Sequence, residues 1–158
     1  KNDTTVTLPQ NIKNRIRELE KIFEQHKKKI PIEQSLGKID FEFFPPCIRD
    51  IHLDTLRGKN VSHFGRFSLT AFLINIGMNT EDIIKMYVAA TDFDENTTRY
   101  QVLHIAGLTG GKTKYKPLKC ANMQTHRLCI NPDEICKRIR NPLTYYTIAY
   151  APSSNMKN

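Results

Sequence analysis

The chain lacks any apolar run near the roughly 20 residues needed to cross a bilayer, which excludes a membrane-spanning helix. It is short of cysteine, with four among 158 residues. That is too sparse for the disulfide frameworks of small secreted domains. It also lacks the two close cysteine pairs that mark most structural zinc sites. A complete phosphate-binding P-loop is missing. Gly111, Lys112 and Thr113 offer its tail, but the position that requires the first glycine is Ala106, and no hydrophobic strand precedes it. An NTPase of that type is therefore excluded. No Ser–His–Asp order and no His-rich metal motif stands out, and no internal repeat is evident. Asp92, Asp94 and Glu95 lie in a hydrophilic stretch that reads as a solvated loop before it reads as a divalent-metal site.

Acid is also scarce. The chain carries 24 Lys and Arg against 16 Asp and Glu, a net charge of +8, with a pI near 9.4. Such an excess favours polyanionic partners: nucleic acid, nucleotides or an anionic membrane surface. At 158 residues the chain is long enough for one domain with a real core. It begins with Lys rather than Met and reads as a piece of a longer protein.

The cysteines themselves carry the most information. Cys47 stands alone, and Cys120, Cys129 and Cys136 cluster well downstream. Four thiols suffice for one cubane iron–sulfur cluster or one structural zinc. Either would tie the front of the domain to its back. The missing close pairs favour the cluster, while two disulfides or four unrelated buried thiols remain the plainer alternatives. Cys47 beside His52 or His63 could also serve as a nucleophile, but three clustered cysteines argue for ligation.

The pattern predicts a mostly α protein with three stretches: a linker over 1–9, a single helical domain over 10–150 and a frayed tail over 151–158. Ile12, Ile16, Leu19, Ile22 and Phe23 recur at helical spacing within a helix over 10–29, which Pro31 stops. Residues 39–46 read as extended. Pro46 then opens a helix over 46–57, with Cys47 near the N–H groups that favour a thiolate, and Gly58 ends it. Ser62 caps a helix over 63–76, closed by Gly77, and Thr80 caps another running to about 91. After an acidic loop over 92–98, whose end overlaps the next helix, come a short helix over 97–106 and a Gly- and Lys-rich loop over 107–119. Asn131 and Pro132 open a last short helix over 132–139.

Basic and aromatic residues interleave in three places. His63 and Arg66 open one helix, where exposed N–H groups could join them around an anion. Arg99, Tyr100, Gln101 and His104 share another helix, with Tyr100 and His104 on one face. Lys112 and Tyr115 lie in the basic loop, where an aromatic is free to stack on a base. Each is commonplace alone; their agreement with the net charge gives them weight.

Taken in order, these words form a series: Phe44, Pro45, Pro46 and Cys47; Ser62, His63, Gly65 and Arg66; Asn75, Ile76 and Gly77; Arg99, Tyr100, Gln101 and His104; Tyr115, Pro117 and Cys120; Met123, His126, Cys129, Cys136, Asn141 and Pro142. The series resembles the C-terminal iron–sulfur domain of the archaeal and eukaryotic DNA primase large subunit, from about Phe41 to Tyr146, with the compact cysteine spacing of the archaeal form. The resemblance implies a [4Fe–4S] cluster on Cys47, Cys120, Cys129 and Cys136, first of all a structural staple. It implies a domain that forms no phosphodiester bonds itself and works beside the small catalytic subunit inside the cell. That domain engages the single-stranded DNA template and the initiating nucleotide, and then holds the 5′-triphosphate end of the RNA primer. The positions matching its binding words are His63, Arg66, Tyr100, Gln101, His104 and Tyr115. Gln101 replaces the eukaryotic Asn, and Leu103 stands where a basic residue is expected, so triphosphate contacts are expected to shift to Arg99 or Lys112. Two other readings compete: an iron–sulfur DNA-repair glycosylase and a zinc-stapled nucleic-acid-binding module. Glycosylase cysteines cluster together near the C-terminus, whereas Cys47 lies far upstream here.

Overall fold

The computed structural model describes residues 39–154 together with Gln10, Asn11 and Asn14, without the side chains beyond 150. The chain divides into two compact units, Lys1–Ser35 and Leu36–Asn158. In the first, Gln10, Asn11 and Asn14 are helical; the rest of the expected 10–29 helix and the 1–9 linker lie outside the described residues. The second unit holds every cysteine and every candidate binding residue.

Its described residues form six α-helices and no strand, as the mostly α expectation requires. They are α1 (Pro46–Leu56), α2 (His63–Asn75), α3 (Thr80–Met86), α4 (Glu95–Ile105), α5 (Cys120–Thr125) and α6 (Pro142–Ser154). No helix among the described residues is long and apolar enough to cross a membrane.

Side chains that satisfy the first free N–H groups set the helix starts. Ser62 Oγ accepts from Gly65 N at 3.2 Å, as expected for α2. For α3 the cap is Asn79, which accepts from Glu81 N at 2.8 Å, and not Thr80. Asp94 accepts from Thr97 N at 2.7 Å, so α4 begins inside the expected acidic loop, at Glu95. Gly58 closes the α1 turn at φ +69°, where an added Cβ would stand 2.5 Å from the Ala89 carbonyl oxygen. Only glycine fits there.

Four further expectations are corrected. Residues 39–46 are not simply extended: Asp40 accepts from Glu42 N at 3.0 Å and coils Phe41–Phe43 into a 3-10 turn. The helix expected to run to about 91 stops at Met86 and tightens into a 3-10 turn over Tyr87–Ala89. No α-helix forms over 132–139. Asn131 takes φ 50°, and Asp133 Oδ1 accepts from Cys136 N at 3.0 Å, leaving a 3-10 turn over Cys136–Arg138. Finally, α6 runs through 151–154, where fraying was expected, while 155–158 lie outside the described residues. Helix α5 was not anticipated; it buries only Met123, too little for a periodic signal.

The core is organised around α2. Its residues from Ser68 to Ile74 are buried without interruption, so the helix is surrounded on every side. Helices α1, α3, α4 and α6 all pack on it. Phe72 sits at the centre with no exposed surface. Its ring meets Phe44 edge-on at 5.1 Å and Tyr146 of α6 at 5.8 Å. The chain entering α1 and the last helix are thereby locked to α2. One buried polar group on α2 is matched internally: Thr70 Oγ1 lies 2.8 Å from the Tyr87 hydroxyl, which donates to the Arg66 carbonyl at 3.1 Å. Phe72→Ala should therefore destabilise the fold by about 3–5 kcal/mol in urea titrations, whereas Val88→Ala, at an exposed position, should stay within about 0.5 kcal/mol.

Candidate functional site

Two constellations stand on this frame. The first is the cysteine group. Cys47, one residue into α1, is 8% exposed. Cys120 opens α5, Cys129 lies on the loop after it, and Cys136 starts a 3-10 turn. No disulfide joins any of them. They nonetheless share one neighbourhood. Burial pushes the Cys47 thiol up to about 12, and the charges of Cys129, Cys120 and Cys136 all add to the rise. Cys120 and Cys136 are raised by burial too, and both feel Cys129.

The backbone around the thiols is tied down. Cys120 N donates to the Arg140 carbonyl at 2.9 Å, joining the start of α5 to the segment beyond the last cysteine. Asp133 accepts from Cys136 N through one oxygen and from the Tyr145 hydroxyl of α6 through the other. Among the described residues no three His, Cys, Asp or Glu side chains close on a single metal ion. The four thiols are electrostatic neighbours, gathered from α1, α5 and the segment after it.

The second constellation is a cavity of about 240 Å³ between α2, α4 and the loops that flank them. His63, Arg66, Tyr100, Gln101, His104 and Tyr115 all line it. Six of the eight expected binding residues thus meet in one place, although they span more than 50 positions of sequence. The lining also includes Phe67, Thr70, Tyr87, Phe93 and Thr98, and contains no carboxylate. Sequence reasoning missed this second set. Tyr87 looks like core because periodicity cannot show that its hydroxyl turns inward to Thr70. Burial pushes that hydroxyl up to about 12, so it stays protonated and able to donate.

Arg66 is held at two points. Its Nε donates to the Val61 carbonyl at 3.1 Å, and an Nη donates to Asp92 Oδ1 at 2.7 Å. The guanidinium in turn holds the Asp92 carboxyl below the usual carboxylate range. This acid belongs to the loop weighed as a metal site. Its neighbours there are also committed, Asp94 to capping α4 and Glu95 to Arg99. Across the cavity, Tyr100 stacks on His104 with centroids 5.9 Å apart and planes 16° from parallel. His104 also lies 5.5 Å from the Tyr115 ring. Tyr115 is fixed by its backbone: its N–H donates to Ile105 O at 2.9 Å, and its carbonyl accepts from Asn75 at 2.7 Å.

Two expected residues lie elsewhere. Arg99 is outside the lining, its guanidinium engaged by Glu81 and Glu95. Lys112 is also outside it, on the exposed loop at φ 53°. That loop begins the most basic part of the chain. Residues 106–150 carry eight Lys and Arg (112, 114, 116, 119, 127, 137, 138, 140) and two carboxylates (133, 134), a net +6.

A family model described as the C-terminal domain of the eukaryotic and archaeal DNA primase large subunit matches residues 37–147. The DNA primase large subunit PriL of Methanococcoides burtonii is 39% identical over 161 aligned residues, covering 99% of this chain and 44% of that protein. The corresponding subunit of Thermoplasma acidophilum is 41% identical, covering 88% of this chain and 42% of the relative. That of Archaeoglobus fulgidus is 43% identical, covering 70% and 29%. The chain thus spans less than half the length of these curated relatives. With the family model covering well over half of its residues, the chain belongs to the family of the C-terminal domain of the eukaryotic and archaeal DNA primase large subunit.

Proposed function

We propose that the chain is an accessory domain of a primase. In this reading it grips the 5′-terminal initiating nucleotide and the adjacent template single strand, and leaves phosphodiester chemistry to a small catalytic subunit. The observation that carries the reading is the cavity: one arginine, two histidines and two partly exposed tyrosines converge on a lining without a carboxylate. A triphosphate concentrates several negative charges in a small volume, and guanidinium and imidazole donors suit it. The flat faces of Tyr100 and Tyr115 suit a base. Arg66 is the strongest anion-binding group present. Its tether to Val61 reduces the freedom it would lose on binding, while its pairing with the exposed Asp92 is the contact a phosphate would have to displace.

The same reading places a [4Fe–4S] cluster on Cys47, Cys120, Cys129 and Cys136. The donor set fits such a group. All four thiols are unpaired, and Cys47, Cys120 and Cys136 are raised in pKa first by burial and also by the neighbouring Cys129. A bound cation would supply the positive charge that buried thiolates need. When bound, the cluster supplies a covalent cross-link between α1 and the C-terminal segment. The chain's own residues do the rest: Asp133 and the Arg140 carbonyl orient the backbone of Cys136 and Cys120. The zinc-stapled alternative fits less well, since the sequence has no close pair of cysteines of the kind most structural zinc sites use.

Purified without oxygen, the chain should absorb near 400 nm and carry about four iron and four sulfide per molecule; zinc in their place would overturn the cluster. Arg66→Ala should weaken binding of ATP by roughly tenfold or more while leaving iron content unchanged. Loss of iron in that variant would make Arg66 a structural residue.

A further inference from the structure

The cavity does not use all the exposed aromatic surface beside it. Phe64 follows His63 on the first turn of α2, is absent from the cavity lining and is 44% exposed. One face of its ring rests on His126, with centroids 3.7 Å apart and planes 19° from parallel. Because His126 covers that face, the exposed part of the ring is its other face and its edge. His63, which does line the cavity, stands edge-on to Phe64 at 6.0 Å. The aromatic surface therefore continues outward from the cavity through His63 to Phe64.

The pairing is held from beneath. Arg127 adopts φ 57°, and Leu128 N donates to Met123 O at 2.8 Å, turning the chain sharply after α5. The turn sets Leu128 against Gly65, where an added Cβ would lie 3.6 Å from the leucine side chain. His126 is thus braced behind Phe64, so the outward ring is pre-oriented. Within the cavity lining Tyr100, 61% exposed, lies near-parallel to His104, with centroids 5.9 Å apart. An exposed aromatic ring beside a histidine thus occurs both in the cavity lining, at Tyr100, and just outside it, at Phe64. The exposed Arg127 beside His126, and the +6 charge of residues 106–150, favour a polyanion as the occupant.

We propose that Phe64, backed by His126, is a nucleobase-stacking subsite that takes the base next to the nucleotide held in the cavity. Its ligand is a single-stranded nucleic acid, and the inference rests on the nucleotide-binding reading of the cavity. Stacking needs only a free, immobilised aromatic face and is indifferent to base identity, which suits an element that meets any template or primer sequence.

The test separates length from terminus. ATP occupies only the cavity; a trinucleotide bearing a 5′-triphosphate also reaches Phe64. Phe64→Ala should bind ATP as the unaltered chain does and bind the trinucleotide roughly tenfold or more weakly. Because the chain has no tryptophan, Phe64→Trp installs a single reporter on the proposed face. Its emission should be quenched by the trinucleotide and not by ATP. Unchanged trinucleotide affinity in Phe64→Ala, an equal loss for both ligands, or a tryptophan blind to the trinucleotide would each overturn the proposal. If the unaltered chain ignored ATP while trinucleotide binding still depended on Phe64, the stacking subsite would stand and the nucleotide reading of the cavity would fall.

Discussion

The uninterrupted burial of α2 from Ser68 to Ile74 is the constraint on which the rest of this structure depends. A helix apolar around its whole circumference must be covered on every side, and α1, α3, α4 and α6 do so. Once that burial is fixed, the unburied first turn of α2 has only one place to go. It projects His63, Phe64 and Arg66 from the end of the packed bundle, beside α4 and the loop after it. The functional surface is therefore a by-product of where the core stops. Tyr87 links the two regimes: its ring is core, and its hydroxyl ties Thr70 inside the core to the carbonyl of Arg66 at the rim.

The cysteine group acts on the same frame. Cys47 belongs to α1, which packs on α2; the other three belong to a segment with little apolar content, where only Met123 of α5 is buried. That segment lacks the hydrophobic surface to hold itself against the bundle by burial alone. Polar ties do part of the work, through the Arg140 carbonyl and Asp133. The cofactor proposed on the four thiols would add a cross-link to these ties.

Much of this was legible in the sequence, and the exceptions have identifiable causes. The limits of α1 and α2 followed from Pro46, Ser62, Gly58 and Gly77, because caps and breakers act locally. The gathering of His63, Arg66, Tyr100, Gln101, His104 and Tyr115 was anticipated only as a list of residue types; nothing in their spacing states that α2 and α4 bring them face to face. Partnerships over distance were invisible. Asp92 sits 26 positions from Arg66, and Glu81 reaches Arg99 from another helix. Arg99 is the instructive case: a basic residue beside an aromatic reads as a ligand contact until its counter-ions are located. Helix α5 and the turn at Asn131 were missed for the opposite reason, since short polar segments take their form from what they are tied to.

One detail of the cavity wall has a wider consequence. Tyr115 is anchored through its own N–H and carbonyl, to Ile105 and to Asn75 at the end of α2. No part of that anchorage uses the phenol ring. The backbone of the wall is held independently of the ring, while the ring itself meets only His104 and Phe67 among the aromatic residues described. A lineage could exchange the group at this position, and with it the preferred ligand, in a single substitution without renegotiating the fold.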